Sequence, residues 1–191
     1  MALRDWVGGL TMSTAIWITG TGIGILAVPE GPTASAPSQG AWTTEAHSPS
    51  TPRTEEHFRL FTGILGRNLA VYLWLLCGLV SGGLTTVAVL TFNGVLFGHT
   101  TGAAIGMGIP AVHLAWLLLP HGIPEIGTFL VAGAIGVRGT RLVAGWMAGS
   151  HAPGTFSAIW RPAVWGALVL AGAAAIEVRV TVPLAEWGMQ P

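Results

Sequence analysis

From Asn68 through Pro124 the chain carries no Asp, Glu, Lys or Arg, and after Glu125 the next formal charge is Arg138. A water-facing surface is hard to build from such a run. Ordinary globular domains are about 25% charged, whereas this whole chain is 8% charged, with a mean hydropathy of +0.65. In lipid the constraint reverses: apolar side chains are at home, and a helix satisfies its own backbone hydrogen bonds. The fold class that follows is all-α, a polytopic transmembrane helical bundle.

Five spans are expected, with four or six as the alternatives where boundaries are poorly marked. Trp6–Val28 is uncharged and long enough to cross roughly 30 Å of hydrocarbon. Its apolar stretch is long for a signal peptide and Asp5 offsets Arg4, so it reads as a retained helix. Residues 29–57 differ in kind. Pro29, Pro32, Pro37, Pro49 and Pro52, with several Ser and Thr, mark an extramembrane loop. Phe58–Asn68 has an apolar face flanked by Arg59 and Arg67, which suits an interfacial helix or the wet end of a span. The second span is Leu69–Thr91, after which the helix either runs on, tilted, or breaks at Asn93-Gly94. The third is Thr101–Leu119. The fourth starts at Ile123 and extends toward Met147, and the fifth starts at Pro162 as a first-turn proline. Pro120 and Pro124 place a broken or re-entrant helix near Pro120–Glu125. The domain division is therefore an N-terminal transmembrane helix (1–28), the loop (29–57) and a membrane helical domain (58–191).

Small residues give that domain packing faces. Gly94, Gly98, Gly102 and Gly106 recur every fourth residue and make a smooth strip if helical, fit for another helix of the chain or of a second copy. Gly133, Gly136 and Gly139 make a second strip. Orientation is weakly marked. Placing the N-terminus inside puts Arg138, Arg141 and Arg161 inside but Arg53, Arg59 and Arg67 outside, beside Glu45, Glu55 and Glu56. Trp6, Trp42, Trp160 and Trp187 suit the interfaces.

The chemistry-bearing residues are few. His121 and Glu125 stand four apart and share a helix face, where a carboxylate can orient an imidazole to act as base, ligand or proton relay. A carboxylate at membrane depth is costly unless paired or hydrated. The competing reading is structural: Glu125 caps the start of a helix and His121 lies among headgroups. His113, two turns before His121, extends the same stripe. Asn93 either bridges helices or stabilises a break. Arg67-Asn68 anchors a span or meets anionic headgroups. Arg138 and Arg141 share a face, and either mark topology, bind lipid phosphate, or pair with Glu177 or Glu125. His99, His113, His121 and Glu125 offer metal-ligand residue types, but their spacing is no zinc signature, and no metal or other cofactor is expected.

Other classes fall away by composition. Every basic residue is Arg, so lysine chemistry and a phosphate-binding G-x-x-x-x-G-K loop are excluded. Cys77 is the single cysteine, so no intrachain disulfide forms. There is no serine-hydrolase elbow, and no basic face for nucleic acid at a net charge of zero.

The order of these features resembles a known family. Phe61 is followed by Arg67-Asn68-Leu69, then Gly82-Gly83, Phe92-Asn93-Gly94-Val95-Leu96-Phe97-Gly98, and the block Pro120-His121-Gly122-Ile123-Pro124-Glu125. Ala132-Gly133-Ala134 and Gly136 come after it. Over residues 58–182 this resembles the stage II sporulation protein M family of integral membrane proteins, with its P-H-G-x-x-E block before an Ala/Gly-rich helix. Two departures stand out: Pro124 replaces the bulky apolar residue of many relatives, and Asn68 is single where relatives show a fuller asparagine segment. The resemblance implies a bacterial multi-pass cytoplasmic membrane protein. One branch of the family works with cell-wall-remodelling partners in spore engulfment, and other relatives accompany circular-bacteriocin maturation, export or immunity. The leading expectation is a non-ATPase integral membrane component of an envelope, secretion or peptide-maturation complex, with lipids, a homo-oligomer or a protein complex, and a peptide substrate as partners. The alternatives are a membrane-embedded hydrolase or peptide cyclase using the His121/Glu125 pair, and a small proton-coupled transporter.

Overall fold

A computed structural model describes residues 3–29, 53–149 and 155–181. Every regular element among them is helical: α1 (Leu3–Leu26), α2 (Arg53–Leu76), α3 (Leu84–Gly106), α4 (Ala111–Gly136), the short α5 (Gly139–Met147) and α6 (Thr155–Ile176), which ends in a π turn, Glu177–Thr181. Among the described residues, four segments are long and apolar enough to cross a membrane: Asp5–Leu26, Glu55–Leu79, Leu118–Met147 and Ile159–Val180. The fifth long helix, α3, is diluted by Asn93, His99 and several threonines.

Several boundaries differ from those expected, for local reasons. The Leu69–Thr91 span is divided after a 3-10 turn, Cys77–Leu79, by Gly82 and Gly83. Both adopt left-handed backbone (φ 64° and 86°), which glycine enters without steric cost. The turn is stitched by Thr86, whose buried hydroxyl donates to Leu75 O at 2.8 Å. The Thr101–Leu119 span is likewise divided, by Gly108 (φ 84°) and Pro110. No break occurs at Asn93-Gly94: α3 runs through it, and Asn93 Nδ2 donates back to Val89 O at 2.8 Å. Nor is there a break or re-entrant turn at Pro120–Glu125, because α4 contains both prolines. A proline removes one backbone donor and one helical bond, a loss that membrane helices absorb where neighbours cover the freed groups. Pro162 is also inside its helix, not at its first turn. At the other margin α2 already begins at Arg53, within the stretch read as loop, and Phe58–Asn68 is part of it. Trp42, Glu45 and Trp187 lie outside the described residues.

The contacts fix the directions. Gly20 and Gly24 of α1 meet Thr91–Gly94 and Val95–His99 of α3 in advancing register, so these two helices run parallel. Gly9 meets Ala134 and Ser13 meets Gly133, so α4 runs antiparallel to α1. Asn68–Glu125 and Leu75–Gly136 set α2 parallel to α4. Tyr72 meets Ala163 and Gly166 while Phe58 and Phe61 line one cleft with Val178 and Arg179, so α6 runs opposite to α2. The long helices therefore alternate in direction along the chain, as successive membrane crossings would. Their shared core is Tyr72, Leu75, Leu90, Phe129, Ala132 and Leu170.

Lipid is as apolar as these side chains, so close packing and hydrogen bonds, more than expulsion of water, hold such a bundle. The glycine strips supply the packing. Gly94 and Gly98 sit against Trp17–Thr21 so closely that a Cβ on either would collide with α1 backbone, and Gly102 meets Ile25 and Val28. Gly106 meets nothing within 4 Å. The second strip works the same way: Gly136 faces Leu75 O and Thr86, and Gly139 faces the carbonyls of Gly78 and Leu79.

Candidate functional site

The inner face of α2 can be read at helical spacing: Phe61, Leu65, Asn68, Tyr72, Leu75. All but Asn68 and the Tyr72 hydroxyl are apolar. Tyr72 donates to Ala163 O of α6 at 2.9 Å. One turn away, Asn68 Nδ2 donates to Glu125 Oε1 of α4, a side-chain bond between residues 57 apart in sequence. Both partners are half-buried. One turn further along α4, the buried Thr128 donates to Pro124 O at 2.7 Å. Glu177 opens the π turn at the end of α6, and that turn packs against α4. The centre of the α2–α4–α6 seam thus holds one carboxylate oriented by an amide, with a tyrosine hydroxyl one turn off and a second glutamate on the π turn packed against α4.

The predicted residues divide sharply against this geometry. Asn68 and Glu125 meet. His121 is half-buried one turn before Glu125 on α4, while His113, two turns further, is exposed. Arg67 is exposed beside Asn68, so of the Arg67-Asn68 pair only the amide enters the seam. Asn93 is bonded within its own helix and bridges nothing across this seam. Arg138 and Arg141 do not pair with Glu125 or Glu177. Arg138 lies thirteen residues beyond Glu125, about 20 Å at 1.5 Å per residue, and its guanidinium stands 4.4 Å from the centroid of the Trp6 ring. Arg141 makes an ion pair with Asp5 at 2.8 Å. These contacts staple the start of α1 to the region after α4, at the opposite end of the bundle from the start of α2. Among the described residues no three His, Cys, Asp or Glu side chains come together to hold a metal ion.

One participant, Tyr72, is absent from the residues singled out by sequence, although its four-residue spacing from Asn68 is a signal. Glu177 enters the sequence reading only as a partner for Arg138 and Arg141, and nothing in sequence places its turn against α4, because that depends on how α6 packs.

A family model for stage II sporulation protein M matches residues 13–182, nearly the whole described bundle. The chain belongs to that family. A relative is an uncharacterized protein of Methanocaldococcus jannaschii, 36% identical over 78 residues, a match covering 41% of this chain and 44% of that protein. The match thus spans less than half of the relative's length. No solved structure matches the chain. Family membership and the apolar helices together make this a membrane protein. Within this family member, the P-H-G-x-x-E block is not a hinge but an unbroken stretch of α4, and its glutamate is held by the asparagine of the R-N-L block.

Proposed function

We propose that this protein is an integral membrane subunit, without ATPase machinery of its own, of an envelope, secretion or peptide-maturation complex in the cytoplasmic membrane. The Asn68–Glu125 contact is the point at which its bundle is coupled to partners. The observation carrying this reading is that hydrogen bond. It joins two motif blocks on different helices at a depth where an ionisable side chain is tolerated mainly for function or with a partner. A polar lock of this kind holds α2 and α4 in one arrangement and releases them when the carboxylate finds another partner. The occupants expected around it are lipids, a second copy or another membrane protein, and a peptide substrate handled by the complex.

The test is purification of the native membrane complex carrying Glu125→Ala, Asn68→Ala or Glu125→Gln. Glu125→Gln keeps an acceptor for Asn68 and is expected to keep assembly, whereas both alanine variants are expected to lose it. Intact assembly in all three, with product formation abolished in the glutamate variants and in His121→Ala, overturns the subunit reading in favour of the hydrolase or cyclase. A second reading, the proton-coupled transporter, is favoured by one observation: Glu125 is a half-buried carboxylate within a membrane-long apolar helix. In that case Glu125→Gln retains assembly yet abolishes solute movement driven by a pH gradient across proteoliposomes.

A further inference from the structure

Away from the Asn68–Glu125 contact, at the end of the bundle where α2 begins, α2 and α6 separate. His57, Phe58 and Phe61 of α2 face Ala175, Val178 and Arg179 of α6 and its π turn across an open cleft of about 420 Å³. That volume lies within the roughly 300–1,000 Å³ in which proteins hold small ligands. The walls are two phenyl rings, a methyl group and the isopropyl of Val178, which is only 3% exposed. The polar lining residues are His57 and Arg179, both exposed. Among the described residues neither has a carboxylate within ion-pair distance; the pair formed there, Arg141–Asp5, belongs to the opposite end of the bundle.

We propose that this cleft binds an anionic lipid, its acyl chain lying between Phe58, Phe61 and Val178 and its acidic headgroup meeting Arg179 and His57. The charge pattern selects the occupant. A purely apolar ligand or a neutral lipid fills the walls but offers the guanidinium no net negative charge. A free anion meets the guanidinium but leaves the phenyl-lined space unfilled. An arginine fork matches phosphate oxygens in a way a point charge does not, and its aliphatic stem lies along apolar surface while the head reaches the interface. The bundle crosses lipid, so an acyl chain reaches such a cleft laterally. This site is separate from Arg67-Asn68: Arg67 is not among the cleft's lining residues, and Asn68 is already bonded to Glu125.

The test uses the full chain purified from membranes into mixed phosphatidylglycerol and phosphatidylcholine, with retained lipid quantified by native mass spectrometry. Wild type is expected to retain phosphatidylglycerol preferentially. Arg179→Gln should lower that preference up to roughly fivefold, the factor corresponding to the about 1 kcal/mol upper value of an exposed ion pair. Phe61→Trp, which fills the cleft while keeping its charge, should lower retained lipid of both kinds. Arg59→Gln removes the same charge from an exposed position that is not among the lining residues, and should change nothing. An unchanged preference in Arg179→Gln, or an equal loss in Arg59→Gln, overturns the proposal. So does full displacement of the lipid by inorganic phosphate, which would make the site one for a free anion.

Discussion

The bundle has two long seams built on different terms. Between α1 and α3, Gly20 and Gly24 on one side and Gly94 and Gly98 on the other bring backbone against backbone, with no room for a methyl group. The Trp17 and Phe97 rings, with centroids 5.1 Å apart, flank the same contact. Polar groups along this seam bond within their own helices, as Thr21 does to Trp17 O and Asn93 to Val89 O. Between α2, α4 and α6 there are close glycine contacts too, Gly136 against Leu75 O among them, but here side-chain bonds also cross from helix to helix, Asn68 to Glu125 and Tyr72 to Ala163, and an open cleft lies at one end. The first seam stabilises by proximity alone and tolerates almost no change in shape. The second adds a few directional bonds to its close contacts, and the candidate site lies where those bonds are.

The largest effect should come from putting a side chain into the tight seam. Gly98→Leu drives a branched side chain into the Thr21 backbone. Overpacking a close contact costs about 1–3 kcal/mol and sometimes more, and this variant is expected at or beyond the upper end, read as loss of the folded fraction in thermal unfolding in detergent. Gly22→Ala, in α1 but with nothing within 4 Å, should be neutral or stabilising by up to about 1 kcal/mol through helix propensity. Equal damage from the two would show that the cost does not come from the close α1–α3 contact. Next, Asn68→Leu leaves a half-buried Glu125 without its amide donor and should cost about 1–3 kcal/mol, whereas Glu125→Gln, which retains a carbonyl acceptor, should cost less; denaturant unfolding of both variants tests this order. Tyr72→Phe removes the hydroxyl that donates to Ala163 O at 2.9 Å, with Pro162 O a longer second acceptor at 3.5 Å, and should cost about 0.5–1.5 kcal/mol. That cost should vanish in a Gly166→Ala background, where the added Cβ already displaces the Tyr72 hydroxyl it would otherwise strike. The smallest effect is expected from Arg141→Gln. Its ion pair with Asp5 is largely exposed, at 71% and 42% relative side-chain accessibility, and such pairs contribute about 0–1 kcal/mol. A loss above that range, seen in the same unfolding experiment, would show the arginine-bearing end to be more than a staple.

The candidate site is partly legible in the residue order alone. Glu125 stands out as a lone charge in apolar sequence, and Asn68 as a polar residue at the head of an apolar helix. Their pairing is not legible, because the natural sequence-based partner for Glu125 is His121, one turn away, whereas Asn68 lies on another helix. Arg138 and Arg141 show the same limit: spacing places them on one face, but their neighbours Trp6 and Asp5 come from the far end of the chain. The prolines show a different one. Pro120 and Pro124 are strong helix breakers in isolation, yet α4 passes through both, while glycines at 82, 83 and 108 supply the turns.

What the sequence determined by itself was class and material: a charge-poor chain without lysine, helices because only helices and closed barrels satisfy their backbone in lipid, and glycine strips because their spacing is local. What the tertiary structure decided was allocation. It assigned Gly94, Gly98 and Gly102 to α1 of the same chain, brought Asn68 to Glu125, and opened the cleft beside Phe58 and Phe61. The physical reason is that helical periodicity says which residues share a face, while the partner of that face is set by which pairs of helices can approach most closely.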